Sequence, residues 1–491
     1  MYIQEKLHVH LELATEVSLA ASDQRRTWRR RPAPGESFVP VHTGSGAMRK
    51  RMYTFGVTIW PYMWQFSYIC TTMSEKYAHY VSARQVMVCF LIYIGMLLPG
   101  KLCAQLDSLL FMTPHAIEAD GKGEVRLKIE NTNFFINNEY SGRQGYGYTL
   151  PGFELAPTLS YQPIGKLRVE AGVHLLRYWG TERYPSGTYR GLPTTDDGST
   201  GHGLHCTPLF RADLQVNRHF SLTIGSLYGQ GNHDLCPQLY HDELNLTADP
   251  EAGLQLRWES AWVDAETWVD WEKFIYRNDN HQEQLTYGLT SRFKFHSPSR
   301  AARWSIPVQV IAMHHGGEIN RNQKNREIST VFNAAAGLCY EKRLRSKRPA
   351  GIKAEVMGLL YRQAADNIYP LKQGYGLHAA VTAGYASAAL SLSYFMGHKF
   401  VTLLGDPLYN CYSERQKGLI YRQIQRLSLR AEYAKDLGKG CSWGVMGEAS
   451  YMLSHSVDTP PTKDGYTPTN LDYTVGIFLR FAPSFLLKRL K

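Results

Sequence analysis

Four carboxylates recur at even positions between 261 and 272: Asp264, Glu266, Asp270 and Glu272. Acids placed in pairs can do general acid–base work. Here, however, Ala261, Val263, Ala265, Thr267, Val269 and Trp271 fill the odd positions, so the acids form one edge of a period-two pattern. That is the polar face of a β-strand. Arg257, Arg292 and Lys294 on neighbouring segments face it, and the pattern reads as a solvated wall rather than a catalytic pair. The run His314-His315-Gly316-Gly317 could suggest a metal. On a strand, adjacent side chains point to opposite faces, so the two imidazoles cannot chelate together. Among His174, His205, His233 and His378, no spacing singles out a nucleophile and base for hydrolysis. Phosphate loops, zinc spacings and nucleic-acid modules are missing from the sequence. The expectation is a protein that is not an enzyme, with no catalytic residue, cofactor site, metal ligand or nucleic-acid partner assigned.

The elements that carry these residues all alternate. Leu167, Val169, Ala171, Val173 and Leu175 interleave with Arg168, Glu170 and His174, and Phe210, Ala212 and Leu214 with Arg211 and Asp213. Lys353 with Glu355, and Arg430 with Glu432, repeat the pattern further on. Sixteen such segments run from about 123 to 481, and the gaps between them alternate in length. Short gaps fall near 162–165, 217–218, 260, 297–302, 345–349, 387 and 436–440. Long gaps fall near 137–148, 181–205, 229–251, 275–283, 316–328, 363–373, 400–419 and 455–470. A water-soluble sandwich has no reason to alternate in this way, whereas an outer-membrane barrel has short periplasmic turns and longer extracellular loops. The fold expected is therefore all-β: a transmembrane, antiparallel, up-and-down β-barrel of about sixteen strands. Because no backbone donor can stay unpaired in hydrocarbon, the sheet must close on itself.

The charged side chains then face the lumen. They are Arg168, Glu170, His174, Arg211, Asp213, Arg257, Asp264, Glu266, Asp270, Glu272, Arg292, Lys294, Lys353, Glu355, Arg430 and Glu432. Rings of such charges tune which solutes pass a pore. The long gaps 181–205 and 229–251 are candidates to fold over or into that pore. Trp258, Phe295, Trp304, Tyr385, Tyr433 and Trp443 fall at the short-turn ends, as an interfacial girdle would. Pro307 lies inside the ninth segment, where it cannot donate to a ladder, so a bulge or irregularity is expected there.

The first hundred residues do not follow this pattern. Residues 86–98 form an apolar run, Lys76 and Arg84 precede it, and Pro99 and Gly100 break it. This is a signal peptide at 73–104, with cleavage between Ala104 and Gln105. Residues 1–72, with their arginine run at 25–31, read as an over-called start or a disordered extension. Of the 54 basic and 43 acidic residues, 12 and 6 lie in 1–104, so over half of the +11 net charge belongs to the leader. Residues 105–122 would form a periplasmic lead and 482–491 a short tail. In an exported chain, Cys206 and Cys236 fall near the same ends of neighbouring strands and could form a disulfide.

The stretches 131–140, 147–153, 166–174 and 374–378, with the Ala104-Gln105 boundary, resemble a group of outer-membrane β-barrel proteins of Bacteroidetes-type bacteria. The resemblance covers most of 105–481, implies a barrel in the outer membrane, and brings no catalytic residues with it. The sequence departs from it in the basic tail that follows Phe481. The expected function is a porin-like channel for passive passage of small hydrophilic solutes. The alternatives are a surface glycan- or capsule-handling barrel with a plugged lumen, and a barrel-embedded hydrolase. Expected partners are outer-membrane lipid, the barrel insertion machinery, and small solutes or surface glycan.

Overall fold

The computed structural model describes residues 106–490 apart from 141–143, 180–203, 275–281, 296–300, 317–327, 347, 366–367 and 463–468. The leader, the Ala104–Gln105 boundary and most of the gap 181–205 lie outside the described residues.

Seventeen antiparallel strands make one sheet. They are β1 (Glu124–Tyr140), β2 (Tyr148–Ile164), β3 (Leu167–Tyr178), β4 (His205–Gln215), β5 (Phe220–Ser226), β6 (Ala252–Glu259), β7 (Val263–Lys273), β8 (Gln284–Lys294), β9 (Ala302–His315), β10 (Ser329–Arg343), β11 (Ala350–Ala365), β12 (Gln373–Tyr385), β13 (Ala388–His398), β14 (Ile420–Gly438), β15 (Cys441–Thr459), β16 (Leu471–Phe481) and β17 (Ser484–Arg489). Each of β1–β16 pairs with its neighbour in sequence, and β16 returns to β1 from Asn131↔Phe481 to Tyr140↔Asp472. This closure leaves no edge along the spanning height and identifies an outer-membrane barrel. Among the described residues no helix is long and apolar enough to cross a membrane. The long and short connections alternate as the sequence indicates, with short periplasmic turns and long extracellular loops.

The strands' apolar side chains face outward: Phe210, Val356, Leu360 and Val381 are each at least half exposed. Trp258, Phe295, Trp304 and Tyr385 stand exposed at the periplasmic ends, whereas Tyr433 is buried and packed against Trp443. Pro307 interrupts the β9–β10 ladder opposite Gly337 without shifting its register, so the irregularity is a gap and not a bulge. The tail is not loose, because β17 pairs with the first residues of β1 beyond the end of β16.

Cys206 and Cys236 are free thiols. Cys206 is exposed on the outward side of β4 and Cys236 is buried inside the barrel, so the wall separates them and a disulfide between them is ruled out. His314 and His315 take opposite faces as their adjacency requires, with His315 buried in the lumen.

Candidate functional site: a plugged lumen with a periplasmic cup

The inward face changes character along the barrel. Toward the periplasm it carries the charges read from the sequence. Toward the outside it is apolar on most strands: Ile136 of β1, Leu150 of β2, Leu176 of β3, Ile311 and Met313 of β9, Val331 of β10, Leu359 and Tyr361 of β11 and Phe395 of β13 are all buried. The β6–β8 wall keeps polar side chains there. A porin of this width would hold water. Here two long connections enter the lumen and cover the apolar face instead.

The first insertion is 227–251, between β5 and β6. It contains a short helix, α2 (Leu244–Thr247). The second is 399–419, between β13 and β14. They are joined backbone to backbone: Tyr240 bridges Leu404 in parallel, the His241 N–H donates to the Leu404 carbonyl at 2.8 Å, and the Asp406 N–H donates to the Pro237 carbonyl at 3.2 Å. Thr402 Oγ1 adds a 2.6 Å bond to the Gln238 carbonyl. Leu239, Phe400, Val401, Leu403 and Cys411 are fully buried between this plug and the wall. Burying an aliphatic or aromatic side chain stabilises by about 1.5–3 kcal/mol, so this dry contact is the main hold on the plug.

Irregular backbone buried in a lumen must also satisfy its polar groups. Three buried amide side chains of the wall do this, each gripping the plug with both a donor and an acceptor. Gln255 of β6 accepts from Tyr228 N and donates to the Tyr228 carbonyl. Gln309 of β9 accepts from Cys236 N at 2.9 Å and donates to the Asp234 carbonyl at 2.8 Å. Asn333 of β10 accepts from Leu403 N and donates to the Val401 carbonyl, both at 2.8 Å. An uncharged amide replaces a missing strand partner without burying a charge. Sequence reasoning passed over Gln309 and Asn333. A usable signal was that each is a lone amide at an inward position otherwise filled by apolar residues.

A strap crosses one side of the periplasmic mouth. It starts with α1 (Leu106–Leu110) against β14–β16. Arg480 donates to the carbonyls of Leu109 and Met112, Arg168 to those of His115 and Ala116, and His115 meets Glu259 at 2.9 Å. Behind it, the strand charges pair across the wall. Arg168 binds Asp213 at 3.0 Å and lies beside Glu170 at 3.5 Å, Arg211 binds Glu170 at 3.2 Å, and Lys128 also reaches Glu170. Tyr228 of the plug sits in this cluster, under the Arg211 guanidinium at 3.8 Å, with its hydroxyl on Asp213 at 2.7 Å.

Under the plug, lined by side chains of β1, β6–β9 and β11–β16, a cavity of about 690 Å³ remains. Of the residues expected at the lumen, it brings together Arg257, Asp264, Glu266, Arg292, Lys353, Glu355, Arg430 and Glu432. Glu259 and Asp264, at its periplasmic end, have side chains 60% and 45% exposed, so the cup holds water. Arg168, Glu170, Arg211 and Asp213 are instead tied up behind the strap, and Lys294 binds Asp264 at 2.7 Å. His174 meets Glu154 at 3.2 Å away from the cup.

Asp270 and Glu272 line a second cavity of about 60 Å³ toward the outside, with Asp249 and Glu251. His233 borders both cavities. Its ring lies flat on Trp268, at 3.6 Å and 4°, and its nitrogens meet Glu266 at 2.5 Å and Glu251 at 2.7 Å. Trp268 fits because Gly288 faces it across the β7–β8 ladder, where a Cβ would stand 2.0 Å from the indole. Burial opposes charge on His233, but the carboxylates of Glu251 and Glu266 overcome it and raise the imidazole to about 9. Among the described residues, no group of three His, Cys, Asp or Glu side chains is set to hold a metal ion.

These features define a closed outer-membrane β-barrel with a plugged lumen. The chain belongs to the Lipid A 3'-O-deacylase-type family, whose model matches residues 117–490. No curated protein matches it. Solved structures similar in outline include OccAB4 of Acinetobacter baumannii, with TM-score 0.36 and 11% identity over 74% of this chain and 100% of that one. The outer membrane protein OprD of Pseudomonas aeruginosa gives 0.37 and 10% over 77% and 98%. OccAB2 of A. baumannii gives 0.39 and 10% over 76% and 100%.

Proposed function

We propose that the protein is a porin-like passage for small hydrophilic solutes, closed at rest by its plug and favouring cations. The observation that carries this reading is the position of His233 between the cup and a smaller cavity nearer the outside, which is mostly apolar but carries four carboxylates. Elsewhere the outer half of the lumen is mostly apolar, so the β6–β8 wall offers the polar route. Asp249, Glu251, Asp270 and Glu272 line its outer part, and a wall of acids favours cations. Conductance across planar bilayers tests the reading. The wild type should rest closed with rare openings, and His233→Ala should give steady cation-selective steps. Silence from both proteins, with the barrels folded, would refute it.

The family name favours a second reading, hydrolysis of an acyl ester on lipid A. One contact supports it: His314 Nδ1 lies 2.9 Å from Thr330 Oγ1 on the outward side of β9 and β10, at their extracellular ends. An imidazole that takes a hydroxyl's proton activates the oxygen as a nucleophile, and this pair faces lipid. Mass spectra of lipid A from cells expressing the wild type or His314→Ala decide it. Loss of one acyl chain with the wild type only would support hydrolysis, and unaltered lipid A in both would exclude it.

A further inference from the structure

The strap across the periplasmic mouth touches the plug as well as the wall. Its first turn has a fitted seat. Leu106 and Leu110 of α1 are buried against β15, where Gly444 leaves them room. A Cβ on Gly444 would stand 2.3 Å from Leu106 Cδ1 and 3.1 Å from Leu110 Cδ1. Phe111 follows, edge-on to Phe478 of β16 with ring centroids 5.6 Å apart. On its other side lies Gly231 of the first insertion. A Cβ there would be 3.2 Å from Phe111 Cβ, and the atoms nearest that position all belong to Phe111. Gly231 precedes His233 by two residues.

The far end of the strap meets the same insertion through one shared side chain. Arg168 of β3 donates from Nη1 to the Ala116 carbonyl and from Nη2 to the His115 carbonyl, both at 3.1 Å. Its Nη2 also donates to the Tyr228 hydroxyl. The rings of His115 and Tyr228 stand 6.0 Å apart. Strap residues 111–116 therefore lie against both ends of 228–231, where the first insertion leaves β5 for the lumen. The wall grips this stretch at Tyr228, through Gln255 and Arg257. At Gly231 the strap is what backs it.

We propose that the strap is a periplasmic latch on the plug. Seated over Gly444 at one end and held by Arg168 at the other, it braces Gly231 and keeps His233 between Glu251 and Glu266. Lifting it from the periplasm frees residues 229–233 first. That this opens a passage rests on the function proposed above, whereas the hold itself is measured without any current.

Gly444→Leu tests the latch from a distance. The added side chain takes the seat of Leu106 and Leu110 and displaces α1, while the strand gives up a glycine that weakens it. Hydrogen exchange is followed peptide by peptide, with heat-modifiable gel mobility as the check on folding. Amides in 229–233 should exchange roughly tenfold faster or more, the worth of one or two hydrogen bonds. Those in 400–411 and in the strands should keep wild-type protection. Gly447→Leu, on the same strand but with nothing within 4 Å of a Cβ, should change nothing. Phe111→Ala, which leaves the seat occupied, should speed 229–233 as Gly444→Leu does. Coupling is mutual, so Gly231→Val, which presses on Phe111, should quicken exchange in 109–116. Wild-type protection of 229–233 in the folded Gly444→Leu and Phe111→Ala barrels, or an equal loss across plug and wall, would overturn the proposal. In planar bilayers Gly444→Leu should open more often than the wild type. Faster exchange with silent bilayers would uphold the latch and count against the passage.

Discussion

Asn333→Leu should release the second insertion from the wall while leaving the barrel intact. The wild-type amide is fully buried and satisfies two backbone groups of the plug, Leu403 N–H and the Val401 carbonyl, at 2.8 Å each. Leucine is close in size and can do neither. Each buried backbone group left unpaired costs about 1–3 kcal/mol, so the plug loses about 2–6 kcal/mol of its hold. At about 1.4 kcal/mol per factor of ten, local opening becomes more frequent by roughly 30-fold to 10⁴-fold. The β-ladders on either side of Asn333 are untouched, since its own backbone stays paired with β9 and β11. Hydrogen exchange followed peptide by peptide reads this directly: amides in 400–411 should exchange faster by that factor while those of β9–β11 keep wild-type protection. Unchanged protection in 400–411 would refute the account of the amide clips. Equal loss of protection across the barrel would show that Asn333 supports the wall and not the plug.

Two further outcomes follow from the plug. Gln309→Leu should loosen 234–236 in the same exchange experiment, while 400–411 responds less, because Gln309 grips the first insertion. Titrations should also register. His233 has an ordinary value of 6.5 and rises to about 9 in place, so its contribution to stability is complete below pH 6.5 and is lost as the pH climbs through about 9. Burial pushes Glu414, in the second insertion, from 4.5 up to about 7, so its part fades between those values. Melting curves of the wild type minus His233→Gln should therefore slope between pH 6.5 and 9, and those of the wild type minus Glu414→Gln between 4.5 and 7. A flat difference in its window would contradict the placement of that group.

The wall was largely legible in the sequence. Alternation such as Leu254–Gln255–Leu256–Arg257 depends on the two-residue period of a strand, and every long or short gap falls between two successive strands because membrane thickness fixes the strand length. The contents of the lumen were less legible. Of the two gaps singled out as able to enter the pore, 229–251 does so and 181–205 lies almost wholly outside the described residues, while the partner insertion, 399–419, was passed over. Periodicity assigns a side chain to one face of a strand but not to what lies opposite. Ile311-Ala312-Met313 is apolar on both faces, and that break in alternation marks where the wall meets a plug rather than water. Phe400, Val401, Leu403, Leu404 and Leu408 are likewise too apolar for a loop in solvent. The division of the charges into a strap-side network and an open cup depends on contacts up to hundreds of residues apart, such as Arg480 with Leu109.

The central claim is that water reaches the lumen from the periplasm and stops at the plug. Single cysteines placed in a cysteine-free protein test it in intact cells and in cells with a permeabilised outer membrane, using a charged thiol reagent that cannot cross lipid. A cysteine at Ser391, which lines the cup, should react only after permeabilisation, and one at Val401, a fully buried residue of the plug itself, should react in neither. Labelling of the Ser391 site in intact cells at the rate seen after permeabilisation would mean an open lumen and would contradict the account.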